Sequence, residues 1–296
     1  MHIVEQPHKY WKTMSGFSKI LLPTDFSKNA NNAIEHARWL PGVQDVIVQH
    51  VVSTYFEKHP HWSTLFDIHE AQKYMDMYVD AEMMKVPKRP ADDLTYRSVI
   101  SRGKPAQQIV ELAEKEKVDA IVMGPHKGVV TAQVIDAASR PVLIIPERGG
   151  QVRPLHRVLV TTDCSPQSKI VVDYAFQLKQ LINCELYLLY VIEFSNAIKF
   201  GIRQGGLTDA ESKMYDWANV QLQNLTPAPF VQDKSVHRLV GEGPVSEQIA
   251  ECAAANDVNL VILGEQGDGV VEKHFLGTTA ASVLNKLGRP MLIVKI

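Results

Sequence analysis

Near the end of the chain, Gly264, Gly267, Gly277 and Thr278 stand in the spacing G-x2-G-x9-G-T, and Thr279 doubles the hydroxyl. Glycine lacks Cβ, so the backbone at such positions turns with positive φ and lets a bulky anion come close. Gly277-Thr278-Thr279 opens a predicted helix. Free N–H groups and the positive end of the helix dipole favour an anion there, and the two hydroxyls add donors. A strand, a glycine-rich loop and a hydroxyl-bearing helix start together suit phosphate. Two turns ahead of an ordinary threonine N-cap account for the same residues. Upstream, Thr161-Thr162-Asp163 closes an apolar run, which places hydroxyls and a carboxylate at the carboxyl end of a strand, the side on which open parallel sheets bind ligands.

The elements that must position these groups come from a duplication. Lys19–Ser27 (KILLPTDFS) recurs 138 positions later as Arg157–Ser165 (RVLVTTDCS). Ser101–Ala113 and Val118–Gly124 recur at an offset of 140, as Gly241–Ala253 and Val258–Gly264. Ser139–Ile145 recurs as Gly288–Val294, now 149 positions on. In the second copy the apolar runs Arg157–Thr162, Glu185–Ile192, Val236–Val240, Val258–Gly264 and Pro290–Ile296 read as strands. Their near-continuous Val, Ile and Leu content fits strands covered on both faces. Pro166–Ile182, Thr208–Leu225, Val245–Ala255 and Thr278–Leu287 read as helices, with Ser165 as an N-cap and Pro166 at the first helical position. The apolar spacing of Asp209–Asn224 is irregular. Strands alternating with helices give a parallel α/β sheet. The run ERGGQVRP, residues 147–154, sets the boundary near Gly150: an arm at 1–14, a first domain at 15–150 and a second at 151–296. Residues 1–13 read as a flexible arm or as sequence ahead of the natural start.

Composition narrows the function. The 296 residues are 45% hydrophobic and 22% charged with a formal net charge of −2, which suits a soluble globular protein and offers no basic field for nucleic acid or an anionic membrane. No apolar stretch is long enough to span a bilayer, and the start has no signal-peptide pattern. The three cysteines, Cys164, Cys184 and Cys252, form neither a disulfide framework nor a zinc pattern, and reduced thiols suit a cytoplasmic home. Cys164, beside the suspected site, reads as a small filler at a strand end rather than a redox group. Residues 60–85 read as a core-facing or partner-facing helix rich in Met and aromatics. His59, His61 and His69 lack the i, i+4 spacing of metal ligands.

The glycine–threonine spacing, with the strand ends LLPTDFS and LVTTDCS and the closing strands RPVLII and RPMLIV, resembles the universal stress protein family over residues 15–296. The resemblance implies two tandem five-stranded parallel-sheet α/β domains, each with helices on both faces, Rossmann-like and adenine nucleotide alpha hydrolase-like. It implies a binding role for each matching residue of the second domain. Asp163, after Thr161 and Thr162, would hydrogen-bond the nucleoside, and Val191 would meet adenine through its backbone. Leu263 and Gly264 would border the ribose, while Gly267, Gly277, Thr278 and Thr279 would wrap the phosphates. The implied cofactor is ATP, ADP or AMP, with Mg²⁺ accompanying the phosphates. Glu265-Gln266 departs from the basic or hydroxyl residues frequent in the family at that point. Lys273 and His274 lie in the same loop, either as compensating cations or as solvated side chains. The first copy lacks nine positions of this loop, since Gly124 and Pro141 are 17 apart where Gly264 and Pro290 are 26 apart. It keeps Thr24-Asp25, Gly124 and Gly128 but no Gly-Thr pair, so it is expected to hold no triphosphate. His126 and Lys127 read as a turn or as an anion contact.

Three functions fit: a nucleotide-binding stress regulator with little or no turnover, a slow ATPase or other nucleotide-using enzyme, and a ligand-free scaffold. No catalytic residue is assigned, because Asp163 and Glu265 are the nearby carboxylates and neither has an evident partner in the sequence. The duplication leads to the expectation that the two domains join as a pseudo-dimer, and the resemblance, which implies a fifth strand at the sheet edge, makes the final strands Pro141–Ile145 and Pro290–Val294 the candidates. A homodimer of whole chains and an unidentified protein partner are also expected.

Overall fold

A computed structural model describes residues 16–37, 40–53, 68–85, 94–125, 129–146, 155–194, 208–265 and 278–296. The first repeat contributes β1 (Lys19–Thr24), α1 (Lys28–Ala37), β2 (Asp45–Ser53), α2 (Ile68–Lys85), β3 (Thr95–Gly103), α3 (Pro105–Glu116), β4 (Ala120–Met123), α4 (Val130–Ala137) and β5 (Val142–Ile144). The second follows with β6 (Arg157–Thr162), α5 (Pro166–Ile182), β7 (Glu185–Ile192), α6 (Thr208–Leu225), β8 (Val236–Glu242), α7 (Val245–Ala255), β9 (Leu260–Gly264), α8 (Thr278–Lys286) and β10 (Met291–Val294). The boundary run at 147–154 lies outside the described residues.

All ten strands form one sheet in the order β3-β2-β1-β4-β5-β10-β9-β6-β7-β8. Pairing is parallel within each repeat. It turns antiparallel at the junction, where Met291, Leu292 and Ile293 face Ile144, Leu143 and Val142. The final strands expected to join the repeats therefore do so, each covering the edge the other leaves open. Every one of these six side chains is at most 2% exposed.

The two faces of the sheet carry separate cores. On one face Val158 and Val160 of β6 belong to a core that also takes in Ala33, Met75, Val172 and Leu222, from α1, α2, α5 and α6. Leu159 belongs to the core on the opposite face, with Ile109, Val134, Ile249 and Val283 from α3, α4, α7 and α8. Burial on both sides explains the unbroken apolar runs of the central strands. The helix expected at Thr208–Leu225 forms. Its irregular spacing has a physical source, since it covers the outer strands mainly through Ala218 and Leu222 while Trp217 and Val220 stay exposed.

Some ends differ from the sequence reading. β9 starts at Leu260 instead of Val258, because the Val258 N–H closes α7 by donating to the Ala253 carbonyl at 2.9 Å. β10 starts after Pro290, whose carbonyl accepts from Val261 N at 3.0 Å although its own nitrogen has nothing to donate. β8 runs two residues further, to Glu242.

Candidate functional site

In each repeat the chain runs outward from the first strand through two more and then returns to pair the fourth against the first. The β1/β4 and β6/β9 neighbours are therefore the points where strand order reverses, and the crevice beyond their carboxyl ends is the position for a ligand.

At the end of β6, Thr-Asp-Cys-Ser folds into a turn held by its own side chains. Thr162 Oγ1 accepts from Cys164 N and Asp163 Oδ1 from Ser165 N, each at 3.0 Å. Cys164 between them has φ 63°. The left-handed conformation costs a non-glycine residue about 1–2 kcal/mol, and two hydrogen bonds at about 1 kcal/mol each offset it. Ser165 then caps α5, its hydroxyl accepting from Ser168 N at 3.1 Å, and Pro166 occupies the first turn. The first repeat builds the same turn: Thr24 Oγ1 accepts from Phe26 N and Asp25 Oδ1 from Ser27 N, both at 3.0 Å, with Phe26 also at φ 63°. The Thr-Asp-x-Ser pattern is thus the signal for this turn, and the carboxylate it fixes stands at the strand end in both copies.

The register brings the second repeat's predicted residues together. Val160 pairs with Ile262, so two further residues set Thr162 beside Gly264. Thr162 pairs with Tyr190, which sets Asp163 beside Val191. Thr161, Asp163, Val191 and Gly264 are half-buried along this edge. Two of the predicted residues are packed into the structure. The Thr162 hydroxyl is buried and bonded to Ser168 Oγ at 2.8 Å, so it holds the turn together. The Leu263 side chain is 2% exposed in the core. Thr278 and Thr279 begin α8. Gly267 and Gly277 lie outside the described residues, as do Lys273 and His274. The same holds for His59, His61, His126, Lys127 and Gly128.

The sequence showed no partner for Glu265; the structure supplies one. Its carboxylate receives the Lys295 ammonium, which also donates to the Ile135 carbonyl in the last turn of α4. Lys295 is 8% exposed. This one cation ties the residue after Gly264 to the first repeat, and directs the carboxylate toward the β5–β10 junction. No spacing rule links positions 160 apart, so the contact was invisible in the sequence.

Cys164 fits the filler reading, since burial pushes its thiol up to about 11 and keeps it protonated at neutral pH. Burial likewise raises Cys184, to about 11, and Cys252. Burial also raises Tyr190, with Cys164 and Asp163 adding to the effect, and its ring meets Trp217 edge-on at 5.6 Å. Among the described residues no cluster of His, Cys, Asp and Glu could hold a metal ion, and no helix is long and apolar enough to cross a membrane.

Comparison with known proteins agrees with this arrangement. The pattern of the universal stress protein family matches residues 16–146 and again 154–295. A universal stress protein of Methanocaldococcus jannaschii is 28% identical over 156 residues, 45% of this chain and 96% of its own length. One from Mycobacterium tuberculosis is 26% identical over 182 residues, 59% of this chain and 55% of the relative. Among solved structures, a universal stress protein from Archaeoglobus fulgidus superimposes with a TM-score of 0.66 at 20% identity, covering 94% of this chain and 96% of its own.

Proposed function

Because the chain belongs to the universal stress protein family, we propose that it is an adenine-nucleotide-binding regulator of the stress response that holds ATP in its second domain, residues 151–296, with little or no turnover. One observation carries the reading. Asp163, Val191 and Gly264 converge at the β6/β9 reversal, in the repeat whose sequence also keeps G-x2-G-x9-G-T ahead of α8. Asp163 would take a ribose hydroxyl, the Val191 and Gly264 backbones would border adenine and ribose, and Gly267, Gly277, Thr278 and Thr279 would give the phosphates N–H and O–H donors. ADP or AMP would occupy the same place with fewer phosphates, and Mg²⁺ would accompany the triphosphate. The reading includes a cytoplasmic location and association with an unidentified protein partner and with a second copy of the chain, whose mass light scattering would register.

The expected stoichiometry is one nucleotide per chain. Calorimetric titration with ATP measures it, and mass spectrometry of molecules released from the purified protein identifies the nucleotide. Two equivalent sites would contradict the assignment to the second domain.

Turnover is expected to stay far below the roughly 1–1000 per second of ordinary enzymes, because the reading assigns the loop donors for phosphate and assigns no base to position water. Glu265, which directly follows Gly264, is paired with Lys295. ATP with Mg²⁺ should raise the melting temperature by binding the native state. The same sample should release about one phosphate in many minutes, and Glu265→Gln should leave that rate as it is. Turnover near one per second that collapses in the variant would instead make this an ATPase.

A further inference from the structure

The ten-stranded sheet ends in β3 on one side and in β8 on the other, and the chain treats these edges differently. At β3 the Thr95 N–H donates to the Gln44 carbonyl at 2.7 Å, so odd positions face β2 and even ones turn outward. Helix α2 answers that outward row. Gln72 Oε1 accepts from Ile100 N at 3.2 Å, while Gln72 Nε2 and Asp76 both engage the Ser98 hydroxyl. Side chains laid on an edge keep another strand from adding there.

β8 has no such cover among the described residues. The Ser235 carbonyl accepts from Leu186 N at 2.8 Å, and Gly243 N donates to the Ile192 carbonyl at 3.0 Å. Odd positions therefore face β7, and Arg238, Val240 and Glu242 turn their backbone N–H and C=O groups away from the sheet. Val236 N, first in that row, is taken by the Asp233 carbonyl at 3.1 Å. No described backbone group meets Arg238, Val240 or Glu242 on the outer side, and no described strand lies beyond them. Helix α6 reaches this edge through side chains, the Tyr215 hydroxyl donating to Glu242 Oε2 at 3.1 Å.

The order of these residues says what fits. A row of cation, apolar residue and anion is complementary to itself when reversed. Antiparallel pairing about a two-fold axis at Val240 sets Arg238 opposite Glu242 of the second copy, and Glu242 opposite its Arg238. Facing residues of this kind exchange both N–H···O bonds, so the outward groups satisfy one another. Directly opposed unlike charges stabilise a strand pair, and like charges destabilise it. Sliding the second copy along the edge sets each charge against an apolar residue, or against its own kind. Arg238 already donates to the Val231 carbonyl at 3.2 Å and to Thr226 Oγ1 at 3.4 Å, which holds it beside the edge. A guanidinium has further donors for a facing carboxylate.

We propose that β8 is the surface through which two copies of the chain join, antiparallel about Val240, so that one sheet runs on into the next. This gives a surface to the association with a second copy in the reading above, and draws nothing from the nucleotide assignment.

Sedimentation velocity of the full-length protein over a range of concentrations tests it. The wild type should dimerise. Glu242→Arg opposes like charges on both sides of the axis and should weaken the dimer at least tenfold, as should Arg238→Glu. The double variant Arg238→Glu/Glu242→Arg restores unlike pairs and should regain the dimer, which a merely structural role for either residue would not produce. Val240→Pro tests the backbone. Its nitrogen faces away from β7, so proline takes no bond from the fold, yet it denies the second copy a donor. This variant should be monomeric with unchanged circular dichroism, and it decides the matter if the double variant misfolds. A monomeric wild type would overturn the inference together with the second-copy association, and leave the edge to a strand of another protein. Wild-type dimerisation in both Glu242→Arg and Val240→Pro would overturn the β8 surface alone, as would a folded double variant that stays monomeric.

Discussion

Replacing Gly277 with valine should weaken ATP binding at least tenfold, about 1.4 kcal/mol, while the far-ultraviolet circular dichroism stays unchanged. Gly277 immediately precedes α8, whose first residues are Thr278 and Thr279. The N–H groups of that first turn have no partner inside the helix and are the natural donors for phosphate. A branched Cβ at the preceding residue would occupy the space a phosphate needs and would disfavour any positive φ there. The helix itself is anchored further along, by Ala280 and Val283 in the core, so its packing does not depend on Gly277. Calorimetry on the folded variant reads the effect, and wild-type affinity would place the nucleotide elsewhere.

The second large effect concerns stability. Lys295→Met should lower the melting temperature by about 5–10 °C, from a loss of about 3 kcal/mol. Removing the ammonium leaves the Glu265 carboxylate, 15% exposed, without its countercharge. It also strips the Ile135 carbonyl at the end of α4 of its donor. Both penalties fall at the β5–β10 junction, where three residue pairs join the repeats. The double variant Lys295→Met/Glu265→Leu should recover part of the loss, because replacing a whole buried pair by apolar groups costs less than breaking it. Thermal denaturation of the three proteins provides the comparison. An unchanged melting temperature for Lys295→Met would show that solvent already screens the pair.

Much of the fold was legible because its determinants are local. Unbroken runs such as Val158–Val160 and Leu260–Leu263 mark strands buried on both faces, and Ser165-Pro166 marks a helix start by capping chemistry that involves only four residues. The duplication fixed which strands belong to which repeat. Strand ends were less legible, because β9 begins only after Val258, whose N–H is taken by the end of α7, and β10 only after Pro290, whose nitrogen has nothing to donate. Those are competitions between neighbouring elements.

The site divides in the same way. The sequence by itself determined that Thr-Asp-x-Ser ends the first strand of each repeat, that the second repeat keeps the glycine–threonine loop, and that the first has lost it; each is a property of residues close together in the chain. Tertiary structure alone decided that Thr162 spends its hydroxyl on Ser168 and that Glu265 is held by Lys295. Each depends on what the sheet sets beside a side chain, and residues 160 positions apart become neighbours only once β5 and β10 have paired.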